Sequence, residues 1–274
     1  MARAPRRDFR ARYGPWAVVA GASQGLGEAY AEQVAALGLN VVLIARREEL
    51  LRALAERLGA KHGIEARVLA LDLAREDASA VVEAETAALD VGLLIYNAAL
   101  SVIGPFLERP LEAHLGELAV NTRAPMALAY LLGQRMRSRE RGHGGIILMS
   151  SLASAQGSAL TANYAATKAY NLVLAEGLWE ELRRQGLDVL ACVAGATSTP
   201  NYTASAPRGS GVGSATLTPQ AVAAETLAAL GRQPSIIPGR ANRASTFVMR
   251  RLLPRRTAVA MMGRVLRGMY GEAE

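Results

Sequence analysis

Apolar residues along the chain fall into two alternating patterns. Short, mainly apolar runs lie at about residues 16 to 20, 40 to 45, 66 to 71, 93 to 96, 145 to 149 and 188 to 193, and a seventh lies near Ser235 to Ile237. Runs that are brief and apolar at successive positions read as strands covered on both faces. Between them lie Ala- and Leu-rich segments with charged faces, such as Glu48 to Lys61 and Arg75 to Leu89, which read as helices. This alternation predicts a doubly wound α/β fold of the Rossmann type, a parallel sheet of about seven strands with helices on both sides. The 274 residues suffice for one large core, so a single domain is expected. Its parts are a basic arm over 1–12, the α/β body over 13–239 and a basic amphipathic extension over 240–274.

The first apolar run leads directly into three glycines, in Trp16-Ala-Val-Val-Ala-Gly21-Ala-Ser-Gln-Gly25-Leu-Gly27, and helical periodicity follows through Ala29, Val34 and Leu37. Glycines between a strand and a helix let backbone N–H groups approach a pyrophosphate at the positive end of the helix. The spacing is Gly-x-x-x-Gly-x-Gly, and such a turn alone is weak evidence. Further along, Tyr164 and Lys168 stand four apart in a helical run, thirteen residues beyond Ser151, with Asn121 upstream. That spacing puts phenol and ammonium on one helix face, where the ammonium favours the ionised phenol. A phenol of pKa about 10 is thereby drawn toward working pH as a general acid or base. A serine hydroxyl beside it can hydrogen-bond the same substrate oxygen. Ser150 is the rival, but adjacent strand residues point to opposite sides, and the spacing to Tyr164 favours Ser151.

Taken in order, these motifs resemble the short-chain dehydrogenase/reductase family from about Tyr13 to Pro200. They are the turn at Gly21 to Gly27, Asp72-Leu73 after the third strand, Tyr96-Asn97-Ala98-Ala99 after the fourth, Asn121, Ser151, Tyr164 and Lys168. The opening Tyr13-Gly-Pro-Trp-Ala-Val-Val, the stretch Leu39 to Arg47 and the run Tyr164 to Tyr170 resemble one branch. That branch holds the very-long-chain 3-oxoacyl-CoA reductases and related 17β-hydroxysteroid dehydrogenases.

The resemblance implies Tyr164 as acid/base, Ser151 as partner of the carbonyl oxygen, Lys168 as the group that lowers the phenol pKa and holds the nicotinamide ribose, and Asn121 as support for a water relay. The cofactor would lie against Gly21, Ser23, Gln24, Gly25, Leu26, Gly27, Asp72, Leu73, Asn97, Ala98, Ala99, Tyr164, Lys168, Gly195 and Thr197. Arg46 and Arg47 follow the second strand, where an acid would repel a ribose 2′-phosphate, so the expected cofactor is NADP(H). Leu100, Ser101, Leu152, Ala153, Gln156 and Tyr202 are the expected substrate-side residues. The segment Gly195 to Thr218 is expected to close over substrate and cofactor. Four residues depart from the family pattern: Ala20 for Thr, Tyr96 for Asn, Ala99 for Gly, and Ala194 for Pro. Each touches cofactor-loop geometry rather than the acid/base group. His62, His114 and His143 lack ligand spacing, so no metal is expected.

The net charge of +7 is concentrated at the ends. Eight arginines and no acid lie between Arg240 and Arg267, and five arginines with Asp8 occupy the first twelve residues. With only 5% aromatic residues and no reading module, a nucleic-acid partner is not expected. Ala258, Val259, Met262, Val265, Leu266 and Met269 recur at helical spacing, with Arg264 and Arg267 off the stripe. Such a helix docks on its own domain, meets another subunit, or lies peripherally on an anionic membrane. The lone Cys192 and the lack of a signal peptide or spanning run point to the cytoplasm, with peripheral membrane association as an addition. The family resemblance implies a homodimer or homotetramer through the helices carrying Asn121 to Arg141 and Tyr164 to Gly186.

The leading reading is an NADP(H)-dependent oxidoreductase for a ketone or secondary alcohol on an apolar small molecule, a 3-oxoacyl thioester or a steroid-like compound. The alternatives are a dehydrogenase working in the oxidative direction and a non-catalytic NADP(H) sensor.

Overall fold

The computed structural model describes residues 6–139, 142–204 and 216–271. Its strands are β1 (Trp16–Ala20), β2 (Asn40–Ala45), β3 (Ala66–Ala70), β4 (Val91–Tyr96), β5 (Gly144–Ser151), β6 (Leu187–Ala194) and β7 (Ser235–Ile236). They form one parallel sheet in the order β3-β2-β1-β4-β5-β6-β7. The chain reverses its winding between β1 and β4, and ligands of such sheets bind at the carboxyl ends of strands flanking that point.

The helices are α1 (Arg6–Tyr13), α2 (Gly25–Ala36), α3 (Glu48–His62), α4 (Ala78–Glu85), α5 (Leu111–Leu118), α6 (Ala124–Arg137), α7 (Ala162–Leu182), α8 (Pro200–Ala204), α9 (Pro219–Ala229), α10 (Arg240–Phe247) and α11 (Arg255–Tyr270). Successive strand residues feed opposite faces. Ala17 and Val19 of β1 pack with Tyr30, Val34, Leu51 and Val222 from α2, α3 and α9, whereas Val18 and Ala20 pack with Leu128, Leu132 and Leu172 from α6 and α7. Burial on both faces is why the central strands read as apolar runs, whereas β3 at the sheet edge keeps Arg67 exposed. At the basic start of the chain, Arg12 Nε and the Tyr13 hydroxyl both donate to Asp188 Oδ2, at 2.7 and 2.6 Å, which ties α1 to β6.

Two helices differ from the periodicity. The Arg75 to Leu89 segment is helical only over α4, because Arg75 N donates to the Asp72 carbonyl in a turn at one end. At the other end Arg135 donates to the carbonyls of Thr86 and Leu89 at 2.6 and 2.8 Å. The helix carrying Asn121 is interrupted between α5 and α6 by a π turn, Ala119–Arg123. Beyond the sheet, α10 runs into a second π turn, Val248–Leu252, and Pro254 opens α11.

Candidate active site

Ser151 is the last residue of β5 and Tyr164 lies in the first turn of α7. The alternation of β5 separates the two serines. Ser150 is buried and donates to the Lys168 carbonyl at 2.7 Å, while Ser151 faces a cavity and its hydroxyl accepts from Ala153 N at 3.2 Å. The Ser151 hydroxyl favours the ionised form of the Tyr164 phenol. Lys168, one turn on, is 3% exposed. Its Nζ donates to the Met149 carbonyl at 3.1 Å and lies 5.6 Å from the centre of the Tyr164 ring.

Burial is the largest influence on both groups. It draws the Lys168 ammonium down to about 8, against a smaller upward pull from Glu117. It pushes the Tyr164 phenol above its ordinary value, which Ser151 partly offsets and to which the negative charge of Glu117 adds. Burial thus sets the direction for the phenol, and Ser151 rather than Lys168 is the group that lowers it in this structure.

Asn121 sits in the π turn, a distortion frequent at functional sites. Its Oδ1 accepts from Leu100 N at 2.9 Å, and its Nδ2 donates to the Leu100 carbonyl at 2.8 Å and to Thr167 Oγ1 at 3.0 Å. Thr167 in turn donates to the Tyr164 carbonyl at 2.8 Å. The backbone carbonyl of Asn121 accepts from Asn171 Nδ2 at 2.9 Å. Asn121 thus clamps the loop after β4 to α7, where its direct partners are Thr167 and Asn171.

The glycine turn is shaped for a close backbone approach. Gly21 has φ +80°, and a Cβ there would lie 2.7 Å from the backbone of Ala98. A Cβ on Gly27 would lie 1.9 Å from the Gly21 carbonyl oxygen, so α2 packs against the turn only as glycine allows. The hydroxyl absent at Ala20 has a substitute. Asn97 N donates to the Ala20 carbonyl at 2.9 Å and Asn97 Nδ2 to the Gly21 carbonyl at 3.1 Å. Gln24 caps α2 without a side-chain hydrogen bond to its first N–H groups, which leaves the positive end of that helix available to an anion. Arg46 and Arg47 are exposed at the end of β2, and Arg47 Nη2 donates to Ser23 Oγ at 2.9 Å. Asp72 Oδ1 accepts from Ala74 N at 2.9 Å. These features fit a dinucleotide carrying an additional phosphate.

One cavity of about 910 Å³ joins this turn to Ser151 and Tyr164. The expected cofactor-side residues Gly21, Ser23, Gln24, Leu26, Arg46, Arg47, Asp72, Leu73, Asn97, Ala98, Ala99, Gly195 and Thr197 line it together with Tyr164, whereas Gly25, Gly27, Lys168 and Asn121 lie behind its wall. Leu100, Ser101, Leu152, Ala153, Gln156 and Tyr202 all line the substrate side. The base of the Gly195 to Thr218 segment is pinned by Ser198 N to the Leu217 carbonyl at 2.9 Å and Leu217 N to the Ala196 carbonyl at 3.0 Å. The rest of that expected lid, residues 205–215, lies outside the described residues.

The cavity wall also contains Met261, Met262, Val265, Leu266, Met269 and Tyr270 of α11. Arg255 Nη1 anchors the start of this helix on the Ala155 carbonyl at 2.6 Å. At Gly263, where an added Cβ would be 3.7 Å from that of Ala159, the helix closes on the loop before α7. The apolar stripe was visible in the sequence, but its role as a wall of the site was not. All eight arginines of the extension are exposed. Among the described residues no group of three His, Cys, Asp or Glu is placed to hold a metal, and no helix is long and apolar enough to cross a membrane.

A Rossmann sheet with a Ser-Tyr-Lys group beside a glycine turn defines a dinucleotide-dependent oxidoreductase site. The signature of the short chain dehydrogenase family matches residues 15–208, and the chain belongs to that family. It is similar to the 7β-hydroxysteroid dehydrogenase of Collinsella aerofaciens, with 32% identity over 241 residues, 87% of this chain and 91% of that protein. The very-long-chain 3-oxoacyl-CoA reductase of Laccaria bicolor is 32% identical over 187 residues, 67% of this chain and 55% of that protein. A solved 7β-hydroxysteroid dehydrogenase superposes with a TM-score of 0.87 at 30% identity, covering 93% of this chain and 98% of that one. A short-chain dehydrogenase from Sphingobium yanoikuyae in complex with NADPH superposes at 0.72 and 30% identity, covering 82% and 87%. The 3-oxoacyl-CoA reductases read from the motifs are thus among the relatives, and hydroxysteroid dehydrogenases match over more of the chain.

Proposed function

We propose that this protein interconverts a ketone and a secondary alcohol on a bulky apolar molecule of steroid type, with NADP(H) as cofactor and Tyr164 as acid/base. One observation carries the reading: Ser151 and Tyr164 open into a cavity whose further wall is the apolar stripe of α11. Thioether and aliphatic side chains there suit a large apolar body, and methionines adapt their shape to it. The likeness to 7β-hydroxysteroid dehydrogenases over most of the chain supports a ring ketone over an acyl thioester.

The turn backbone and the start of α2 would hold the pyrophosphate, and Arg46 and Arg47 the 2′-phosphate, with Arg47 already oriented by Ser23. NADP(H) supplies or accepts the hydride. In reduction, the Ser151 hydroxyl and the Tyr164 phenol both donate toward the carbonyl oxygen, and Tyr164 passes its proton to that oxygen as the alcohol forms. In oxidation the phenolate takes the proton back. Lys168 keeps a positive charge behind the ring at neutral pH, because its proton leaves only near pH 8, and that charge stabilises the phenolate as it develops. Lys168 also borders the nicotinamide ribose in this reading, and Asn121 holds the loop above it.

Exposed Met126, Tyr130, Tyr170 and Val173 on α6 and α7 support a homodimer or homotetramer through those helices. The outward side of the C-terminal extension carries exposed Phe247, Val248 and Leu252 among Arg250, Arg251 and Arg256. This combination supports a cytoplasmic enzyme whose C-terminal face rests on anionic lipid. Flotation with anionic but not zwitterionic vesicles is expected, and its absence would remove the membrane contact. For the activity, NADPH oxidation is to be followed against ketosteroids, 3-oxoacyl thioesters and small ketones. Turnover of the ketosteroids alone supports the reading, and turnover of small ketones alone sinks the bulky-substrate assignment.

A further inference from the structure

Glu117, near the end of α5, is a carboxylate of 0% exposure that the reaction just described does not use. A buried carboxylate persists only where donors hold it. Here Oε1 accepts from the backbone N–H of Val102 at 2.9 Å and Oε2 accepts from Asn163 Nδ2 at 2.6 Å. Both groups donate toward it and so favour the anion, against burial, which is the larger influence and raises the carboxyl above its ordinary value. Val102 belongs to the substrate-side loop after β4, and Asn163 immediately precedes Tyr164. Asn163 Nδ2 also reaches the His114 carbonyl at 3.3 Å. A single side chain therefore joins the substrate loop to the first turn of the catalytic helix.

The titratable groups around it are few. His114, one turn earlier on α5, stacks on Phe106 with ring centres 4.4 Å apart and has Nε2 3.0 Å from the Phe106 carbonyl. Tyr164 and Lys168 approach from α7. No charged residue lies on the loop from Asn97 to Gly104. The carboxylate disfavours a second negative charge on Tyr164 and favours the positive one on Lys168.

We propose that Glu117 is a positioning residue for the Tyr164 and Lys168 pair, fixing the start of α7 against the substrate loop and holding the pair in its proton-donating state. This rests on the reading of Tyr164 as acid/base. The bias favours ketone reduction at neutral pH, since reduction needs the phenol protonated and the ammonium charged.

The test uses the full-length enzyme with NADPH and its ketone, and follows the alkaline fall of kcat for reduction in Glu117→Gln, Glu117→Asp and Tyr164→Phe. Removing the charge moves the fall to lower pH whichever proton of the pair is lost, so E117Q is expected to show that shift. Its kcat should drop about tenfold with a smaller change in KM. E117D keeps the charge on a shorter stem and is expected to retain the parent's pH profile at reduced kcat. An E117Q profile that coincides with the parent's, or an E117D profile that shifts, overturns the proposal even where thermal unfolding shows a loss of stability. Should E117Q fail to fold, E117D decides, because parent-like kcat there removes the positioning role. Turnover retained in Y164F would instead overturn the acid/base reading on which the proposal stands.

Discussion

Tyr96 donates its hydroxyl to the backbone carbonyl of Val120, the residue before Asn121, at 2.6 Å. At 1% exposure Tyr96 fills the space between the end of β4 and the π turn. Its hydroxyl thus braces the turn that carries Asn121. Tyr96→Phe leaves that buried carbonyl without its donor and is expected to cost about 1 to 2 kcal/mol. Thermal unfolding checks the loss and steady-state kinetics the accompanying fall in kcat; unchanged values for both would mean that the contact positions nothing.

Arg46 and Arg47 differ in preparation, since Arg47 is held on Ser23 and Arg46 has no hydrogen bond or ion pair within the described residues. Replacing both by Ala should raise KM for NADPH about tenfold or more, through loss of charged contacts each worth roughly 1.5 to 3 kcal/mol. KM for NADH should hardly change. Equal losses for the two cofactors would contradict a role in 2′-phosphate recognition.

The proton of Lys168 gives a signed stability prediction. The native ammonium deprotonates near pH 8 against 10.5 for the ordinary group. Below about pH 8 both native and unfolded chains hold the proton, and the native state bears the full cost of burying the charge. Between 8 and 10.5 the unfolded chain binds a proton that the native chain lacks, so this cost falls as pH rises. Lys168→Met is therefore expected to be inactive yet more stable than the parent at pH 7, by about 1 to 3 kcal/mol, with the gap closing toward pH 10. Denaturant unfolding at several pH values measures it. A less stable variant at pH 7 would show that the charge is better paired than its burial implies.

Leu266 and Met262 sample the wall made by α11. Truncating either to Ala should raise KM for a ketosteroid by roughly tenfold, from about 1 to 2 kcal/mol of lost apolar contact, and leave small ketones unaffected. Equal effects on both substrate sizes would point to a stability role for α11.

Much of this architecture is legible in the sequence because the central strands are buried on both faces and Gly21 and Gly27 of the turn answer a local steric demand. The Ser151, Tyr164 and Lys168 group is legible because its geometry depends on spacing within β5 and α7. What the sequence hides is tertiary. Glu117 reads as one more acid on an amphipathic helix until α7 packs over it. The stripe from Met262 to Met269 is plain by period, but three surfaces could receive it. The π turn at Asn121 has no signature in the sequence, and the clamps that Asn121 makes to Leu100 and Asn171 come from segments distant along the chain.

The most direct measurement compares hydride transfer in the parent and in Tyr164→Phe with a ketosteroid, alongside NADPH binding by fluorescence. Rapid NADPH oxidation by the parent, abolished in the variant while binding persists, is the expected result. Substantial turnover without the phenol would contradict Tyr164 as the proton donor, and NADPH bound but never consumed by the parent would favour a cofactor-sensing protein.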